Sequence, residues 1–292
     1  MHFNISKLCV MLCVSMCAAQ VGAAAKGMRG DVPKPILVTS AVKGLHVVLI
    51  KKLHNAPSRK SVSESCAYAV IEPITAAGKA AAAIGWHVTS EEALGRYFAV
   101  GIFSDAHDGT SNTCLISDGK VVVFEGDNPI AVVYASLATG KNNGPIGEIV
   151  KTTLSNTLHI LDGTPAPPTA DLKVTPEGLA IVPLANTDPA CGGRVQVPNV
   201  WGRSFSRARA KLAKYGWHPV PYVKAVSSDD TYDDPNAREL RKQGIVEVDQ
   251  CAGTGWGFCL AHYKHVTGAM LELETIGDGP ELVSRYAVTC PN

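Results

Sequence analysis

Residues 245–276 read IVEVDQCAGTGWGFCLAHYKHVTGAMLELETI, and they indicate the local structure of the C-terminal part of the chain. Three runs of strand-like composition, 245–251, 259–265 and 269–276, are separated by a glycine-rich loop and a short Thr-Gly turn. Short connections of this kind join antiparallel strands. Cys251 and Cys259 flank the loop, and its three glycines allow the two sulfurs to meet. The stretch therefore predicts an antiparallel sheet closed by a disulfide.

Two helices are predicted ahead of this sheet. Ser204 is a suitable N-cap for a helix over 205–215, and Gly216 is a suitable terminator. The apolar residues of that helix recur at spacings of three and four: Phe205, Ala208, Leu212 and Tyr215. Asp234 and Pro235 predict the start of the second helix, which runs to about residue 243. Helices and antiparallel strands together indicate an α+β domain over residues 190–292.

The N-terminal part, residues 34–162, is predicted to be a second mixed domain. An alanine-rich helix is expected over 74–84, and strands over 36–42, 45–53 and 97–103. The turn residues Asp118-Gly119 predict a two-residue hairpin, and Ser90-Glu91-Glu92 resembles the start of a short helix. The segment 146–161 is ambiguous between helix and strand.

Residues 163–189 are predicted to be a Pro-rich linker and connecting segment. The run DGTPAPPT at 162–169 favours extended backbone and poor packing. The expected fold class is therefore α+β, with two mixed domains, largely antiparallel sheets and stabilisation by disulfides.

Residues 1–25 have the layout of a cleaved secretory signal peptide. Lys7 precedes the apolar run 8–17, and small residues follow up to Ala25. No second apolar stretch approaches the roughly 20 residues of a membrane span, so no transmembrane segment is expected in the mature chain. Cys17 could instead be lipidated, although bulky Met16 stands where lipoprotein signals have a small residue. The expected location is the periplasm or the exterior.

Six cysteines remain after the leader, and an even set in an exported chain predicts a disulfide framework. Sequence allows fifteen pairings. Proximity favours Cys251 with Cys259, and Cys66 with Cys114 would tie the N-terminal helix region to its hairpin. Cys191 would then pair with Cys290. The rival interpretation is a metal site, but no CxxC pair and no Cys-His cluster at ligand spacing is present. No metal and no cofactor are expected.

Charge and motifs restrict the function classes. Removing Lys7 with the leader takes the 27 basic residues to 26, equal to the 26 acidic residues, so nucleic acid is not an expected partner. GxSxG, HExxH, P-loop and GxGxxG motifs are missing. Whether the protein is an enzyme is uncertain, and a non-enzyme is favoured. A hydrolytic site around Asp105, His107 and Ser111 is the alternative.

Two features predict a binding surface. Cations on the helix after Ser204 recur at spacings of four, four and three, and this stripe could bind an anionic envelope component: Arg203, Arg207, Lys211 and Lys214. Trp256, on the loop between Cys251 and Cys259, could stack on a sugar ring or anchor a protein partner.

Residues 197–217, VPNVWGRSFSRARAKLAKYGW, resemble the opening half of a PASTA repeat, an extracellular module of penicillin-binding proteins and bacterial Ser/Thr kinases. The matching positions are Val197, Pro198, Val200, Gly202, Ala208, Leu212 and Gly216. The resemblance ends there, because an acidic loop, a second helix and the cysteine loop follow. It implies binding of muropeptides or of cell-wall material.

The function expected from the sequence is that of an exported binding or interaction protein of the bacterial envelope, with cell-wall glycan as a candidate ligand. The alternatives are a secreted hydrolase, or an inhibitor of a lysozyme-like hydrolase in which the loop from Cys251 to Cys259 plugs the active site.

Overall fold

Apolar strands between residues 37 and 182 form two five-stranded sheets packed face to face. The structure is a computed structural model that describes residues 35–57, 61–109, 114–136, 146–162, 167–223, 234–252, 257–277 and 281–291. Sheet I has the order β2-β8-β7-β4-β3 and is antiparallel throughout. Its strands are β2 (Leu45–Leu49), β3 (His87–Leu94), β4 (Tyr97–Phe103), β7 (Lys120–Glu125) and β8 (Asn128–Ala135).

Sheet II has the order β1-β12-β11-β10-β9, and only its β1–β12 pair is parallel. Its strands are β1 (Leu37–Ser40), β9 (Ile146–Lys151), β10 (Thr157–Asp162), β11 (Pro168–Val174) and β12 (Gly178–Val182). Side chains alternate between the two faces of a strand, so Leu158 and Ile160 of β10 enter the core between the sheets with Val121 and Val123 of β7.

The outer face of sheet I is covered by helix α1 (Ala76–Ala83). Ala77 and Ala81 are fully buried there against Val122 and Phe124, the alternate residues of β7. Thr75 caps the helix by accepting a hydrogen bond from the Gly78 N–H at 3.0 Å. A 3₁₀ helix (Glu64–Ala69) and the hairpin of β5 (Asp105–Asp108) with β6 (Cys114–Ser117) complete this half.

The C-terminal part contains sheet III and has a hydrophobic core of its own. Sheet III has the order β15-β17-β18-β19, and β16 also pairs with β17. Buried Phe205, Ala208 and Leu212 of α2 lie in this core, and the short hairpin β13–β14 lies beside it. The elements are β13 (Thr187–Ala190), β14 (Val195–Pro198), α2 (Phe205–Ala213), β15 (Trp217–Pro219), α3 (Pro235–Lys242), β16 (Val248–Cys251), β17 (Cys259–His265), β18 (Met270–Ile276) and β19 (Leu282–Thr289).

The largely antiparallel sheets and the three disulfide pairs are confirmed. The sulfurs of Cys66 and Cys114, of Cys191 and Cys290, and of Cys251 and Cys259 lie at bonding distance. Ile36–Asn292 forms one compact unit, and the division into domains at 34–162 and 190–292 stays a prediction. Among the described residues no helix has the length and apolar character needed to span a membrane.

Two local predictions of the N-terminal part are wrong. Ser90-Glu91-Glu92 lies within strand β3, where the Ser90 hydroxyl accepts a hydrogen bond from the Ile149 N–H at 3.0 Å. Asp118-Gly119 turns the chain between β6 and β7, but β6 pairs with β5 and β7 pairs with β4 and β8. The turn signal is local, whereas the sheet that each strand joins is decided by burial of its apolar face.

The segment predicted as a linker contains two strands of sheet II. β11 and β12 lie within 163–189 and pair with each other and with neighbouring strands. Pro168 is the first residue of β11, a position that tolerates proline in a sheet. Ala170 and Leu172 of β11 are fully buried in the core between the sheets, which outweighs the local preference for an extended connection.

Candidate functional site

The outer face of sheet II carries two charged side chains where a covered sheet face normally carries apolar ones. His159 of β10 and Asp171 of β11 are direct cross-strand partners. Their neighbours Leu158, Ile160 and Leu172 point into the sandwich core, so His159 and Asp171 point to the opposite face. The C-terminal part covers this face, and both side chains are almost completely buried.

His159 is held between two carboxylates. Its Nδ1 lies 2.6 Å from an Asp171 oxygen, and its Nε2 lies 3.8 Å from Asp188 of β13. The second Asp171 oxygen accepts a hydrogen bond from the Ala185 N–H at 3.2 Å. Asp188 also accepts a hydrogen bond from the Tyr286 hydroxyl of β19. Four separate strands therefore contribute to one buried polar network, which we name the His159 cluster (His159, Asp171, Asp188 and Tyr286).

The environment of the cluster favours its charged form. Burial alone would lower the pKa of His159, but Asp171 and Asp188 outweigh that effect and raise the pKa to about 9. Burial would raise the pKa of Asp188, but His159 and the Tyr286 hydroxyl bring the pKa below its usual value. At neutral pH the imidazole is therefore protonated and Asp188 is ionised. Burial and the charge of Asp188 raise the pKa of the Tyr286 hydroxyl, which stays a donor.

A cavity of about 500 Å³ opens beside the His159 cluster, between sheet II and the C-terminal part. Its walls are mainly apolar, and the 191–290 disulfide forms part of them. Its apolar lining residues include Val150, Leu161, Pro168, Pro189, Val197 and Val288. The charged residues that line the cavity are His159, Asp188, Lys151 and Arg285.

An aromatic pair forms one wall of the cavity. The rings of Trp201 and Tyr286 stack with centroids 4.2 Å apart and planes 24° apart. The ring of His159 meets Trp201 edge-on at 5.5 Å. The indole N–H of Trp201 is buried near Asp188, whose pKa it helps to lower, but it has no hydrogen bond of normal geometry within the described residues. The pair gives the cavity a rigid, polarisable surface.

The arrangement is suited to binding rather than to nucleophilic catalysis. A catalytic histidine needs one ring nitrogen directed at a nucleophile and the other at an orienting carboxylate. In His159 both nitrogens face carboxylates, and Asp188 lies where the nucleophile would be. Within the described ranges, no group of three or more His, Cys, Asp or Glu side chains could hold a metal ion.

Of the four cations predicted to form a basic stripe, the structure brings Arg203 and Lys211 to a common hydrogen-bond acceptor. Arg203 and Lys211 both donate hydrogen bonds to the Asn199 carbonyl oxygen, at 3.1 and 2.8 Å. Burial, together with the charge of Arg203, lowers the pKa of Lys211. Arg207 is exposed on α2, and Lys214 is exposed directly after the end of that helix. Trp256, the other predicted contact, lies outside the described residues.

The residues proposed for a hydrolytic site are only partly described. Asp105 and His107 lie on β5, and Ser111 lies outside the described residues. His107 is exposed, and the neighbouring Asp108 accepts hydrogen bonds from the hydroxyls of Ser63 and Ser65. These bonds lower the pKa of Asp108. The described part of this segment is therefore a strand that ends in a hydrogen-bonded carboxylate at the surface.

Sequence reasoning missed the His159 cluster. Its signal was a charged or titratable residue between two apolar neighbours in each of two strands, Leu158-His159-Ile160 and Ala170-Asp171-Leu172. The first run was ambiguous between helix and strand, and the second lay in a predicted linker. Without the strand assignment, the shared face of His159 and Asp171 could not be recognised.

The segment 197–217 supplies part of the cavity and of the C-terminal core. Val197, Val200, Ala208 and Leu212 are fully buried in that core. Gly202 and Gly216 have φ values of 63° and 80°, which glycine adopts without strain. These are six of the seven positions on which the PASTA resemblance rests, and that resemblance stays a prediction. The chain gives no match in comparisons with protein-family models, with curated proteins or with solved structures.

Proposed function

We propose that this protein is an exported binding protein of the bacterial cell envelope, located in the periplasm or secreted, and that its ligand occupies the cavity beside the His159 cluster. The observation that carries the proposal is the convergence of charged and aromatic side chains in one mainly apolar cavity. Cavities with apolar walls and a few convergent polar groups are typical of ligand sites. The three disulfides favour maturation in an oxidising compartment.

The energetics of the cluster support a functional role. Burying charged groups is costly, and apolar residues of similar volume often stabilise a fold as well or better. His159 and Asp171 lie almost fully buried although apolar side chains could cover the same face of sheet II. A strongly shifted pKa beside a cavity is also characteristic of functional sites.

Val288→Trp tests whether the cavity binds the ligand. Val288 lines the cavity, and the larger indole would fill part of it. We expect the variant protein to be retained on purified peptidoglycan sacculi at least about fivefold less than the wild type, because the ligand loses its contact surface. Retention is measured by pull-down of the mature protein, and the melting temperature of each variant is recorded.

Ala287→Trp is the matched control, since Ala287 is exposed on the same strand and does not line the cavity. Its retention should equal that of the wild type. If Val288→Trp is folded and retained as well as Ala287→Trp, the cavity is not the binding site for cell-wall material. Lys211→Glu and Trp256→Ala, in the same assay, test the surface predicted from the sequence.

A further inference from the structure

The charges at the rim of the cavity are already balanced. Lys151 lies 3.2 Å from Glu92, and Arg285 lies 3.6 Å from Glu148. Each cation therefore faces a carboxylate of the sandwich sheets. Neither rim cation leaves an excess of positive charge for an anionic ligand.

The inner wall has an excess of negative charge. The protonated imidazole of His159 contributes one positive charge, and Asp171 and Asp188 contribute two negative charges. The sum is one negative charge. His159 lies 2.6 Å from Asp171 but 3.8 Å from Asp188, so the imidazolium neutralises Asp171 more completely. Tyr286 donates a hydrogen bond to Asp188 but carries no charge.

Asp188 is also the carboxylate that reaches the cavity. It belongs to the lining, whereas Asp171 lies behind His159 and does not. The Trp201–Tyr286 pair forms the adjoining wall, and the faces of aromatic rings attract cations through their quadrupole. The mainly apolar walls lower the local dielectric, which strengthens any charge interaction made there.

We propose that the cavity recognises its ligand through a protonated primary amine, which lies against Asp188 and the Trp201–Tyr286 pair while the rest of the ligand contacts the apolar walls. This inference depends on the proposed function, since it assumes that the cavity is a ligand site. A primary amine of suitable size occurs at the amino terminus of a short peptide and on an amino sugar, and both fit the same chemistry.

Calorimetric titration of the mature protein with two pairs of probes tests the inference and separates the two sources. The peptide pair is trialanine and N-acetyltrialanine, and the sugar pair is the glucosamine trimer and its N-acetylated form. We expect the free amine of at least one pair to bind at least about tenfold more tightly than its acetylated partner, because acetylation removes the charge that Asp188 attracts.

Asp188→Asn tests the proposed contact by changing the protein instead of the ligand. It should weaken binding of the free amine by about tenfold and leave the acetylated probe unchanged, since only the charged ligand loses an attraction. Asp249→Asn is the matched control, because Asp249 is a partly exposed carboxylate near His262 and does not line the cavity. That variant should bind every probe as the wild type does.

Two results would overturn the inference. One is equal binding of the free and acetylated probes by the wild type, and the other is the absence of binding by both amines up to millimolar concentration. The acetylation comparison uses only wild-type protein, so it decides the matter even if Asp188→Asn does not fold. Suppose that Val288→Trp weakens retention on sacculi and that either of these results is also obtained. The cavity would then still be a ligand site, but the proposal that it recognises a primary amine would be rejected.

Discussion

At the scale of single residues, His159 shows how neighbouring carboxylates reverse the effect of burial. An imidazole in an apolar interior normally loses its proton. Here Asp171 and Asp188 lie on both sides of the ring, and the pKa rises to about 9. The charged network links β10 and β11 of sheet II to β13 and β19 of the C-terminal part. Its protonation therefore contributes to how firmly the two parts are held.

This shift predicts that stability falls at alkaline pH. The folded-state pKa of about 9 exceeds the unfolded value of 6.5, so the stabilisation is fully present below pH 6.5 and is lost as pH rises through 9. The shift corresponds to about 3 kcal/mol of unfolding free energy. Urea denaturation of the wild type between pH 6 and pH 9.5 measures the loss.

His159→Gln is the control for this titration. Below pH 9 the variant should be less stable than the wild type, because Asp171 and Asp188 lose their cation, and the difference should shrink as the pH rises through 9. Its unfolding free energy should lack the decline that the wild type shows between pH 6.5 and 9. Parallel pH profiles for the two proteins would mean that another group causes the decline.

At the scale of elements, α1 depends on a strand for its N-terminal cap. The Glu91 carboxylate of β3 accepts hydrogen bonds from the N–H groups of Ile74 and Thr75, at 2.8 and 3.1 Å, and from the Thr75 hydroxyl. A negative charge at this end also interacts favourably with the helix dipole. A Cβ at Gly78 would lie 1.9 Å from a Glu91 oxygen, so a larger residue there would displace the carboxylate from its present position.

Glu91→Ala should therefore destabilise the protein by about 1–2 kcal/mol, since it leaves N–H groups of the helix terminus without their acceptor. Chemical denaturation measures the change. Glu92→Ala provides the comparison: Glu92 pairs with the largely exposed Lys151, and its loss should cost less than about 1 kcal/mol. Equal costs for the two variants would contradict the capping role of Glu91.

At the scale of the whole molecule, the disulfides close loops of very different length. Cys191 and Cys290 are 99 residues apart and join the β13 end of the cavity to the end of β19. Cys251 and Cys259 are 8 residues apart and join neighbouring strands of sheet III. A longer closed loop removes more conformational entropy from the unfolded chain.

Replacing Cys191 and Cys290 by alanine should consequently destabilise the protein by about 2 kcal/mol more than replacing Cys251 and Cys259. Urea denaturation of the two double variants gives the difference in unfolding free energy. The same pair of variants tests whether the 191–290 disulfide shapes the cavity, because only its loss should weaken retention on sacculi. A smaller cost for the 191–290 pair would contradict the loop-entropy explanation.

The helices, the Cys251–Cys259 pair and most strands of sheet III could be predicted because their signals are local. Thr75 and Asp234 cap α1 and α3, and Cys251 and Cys259 flank a short glycine loop. Such signals could not predict the position of β3 or the strands β11 and β12. They also could not show that β6 and β7, which flank the Asp118-Gly119 turn, do not pair with each other. Each depends on which apolar face is buried against a distant part of the chain.

The candidate site depends on long-range packing still more strongly. His159 and Asp171 are 12 residues apart, and Asp188 and Tyr286 are 98 residues apart. Taken singly, each is an ordinary polar residue in or beside a strand. Their proximity arises because sheet II turns one face toward the C-terminal part, and apolar burial across that boundary brings the four side chains together. The amino-acid sequence alone thus determines the helix caps and the short-range turns. The cavity forms only when strands that are distant in the sequence pack against one another.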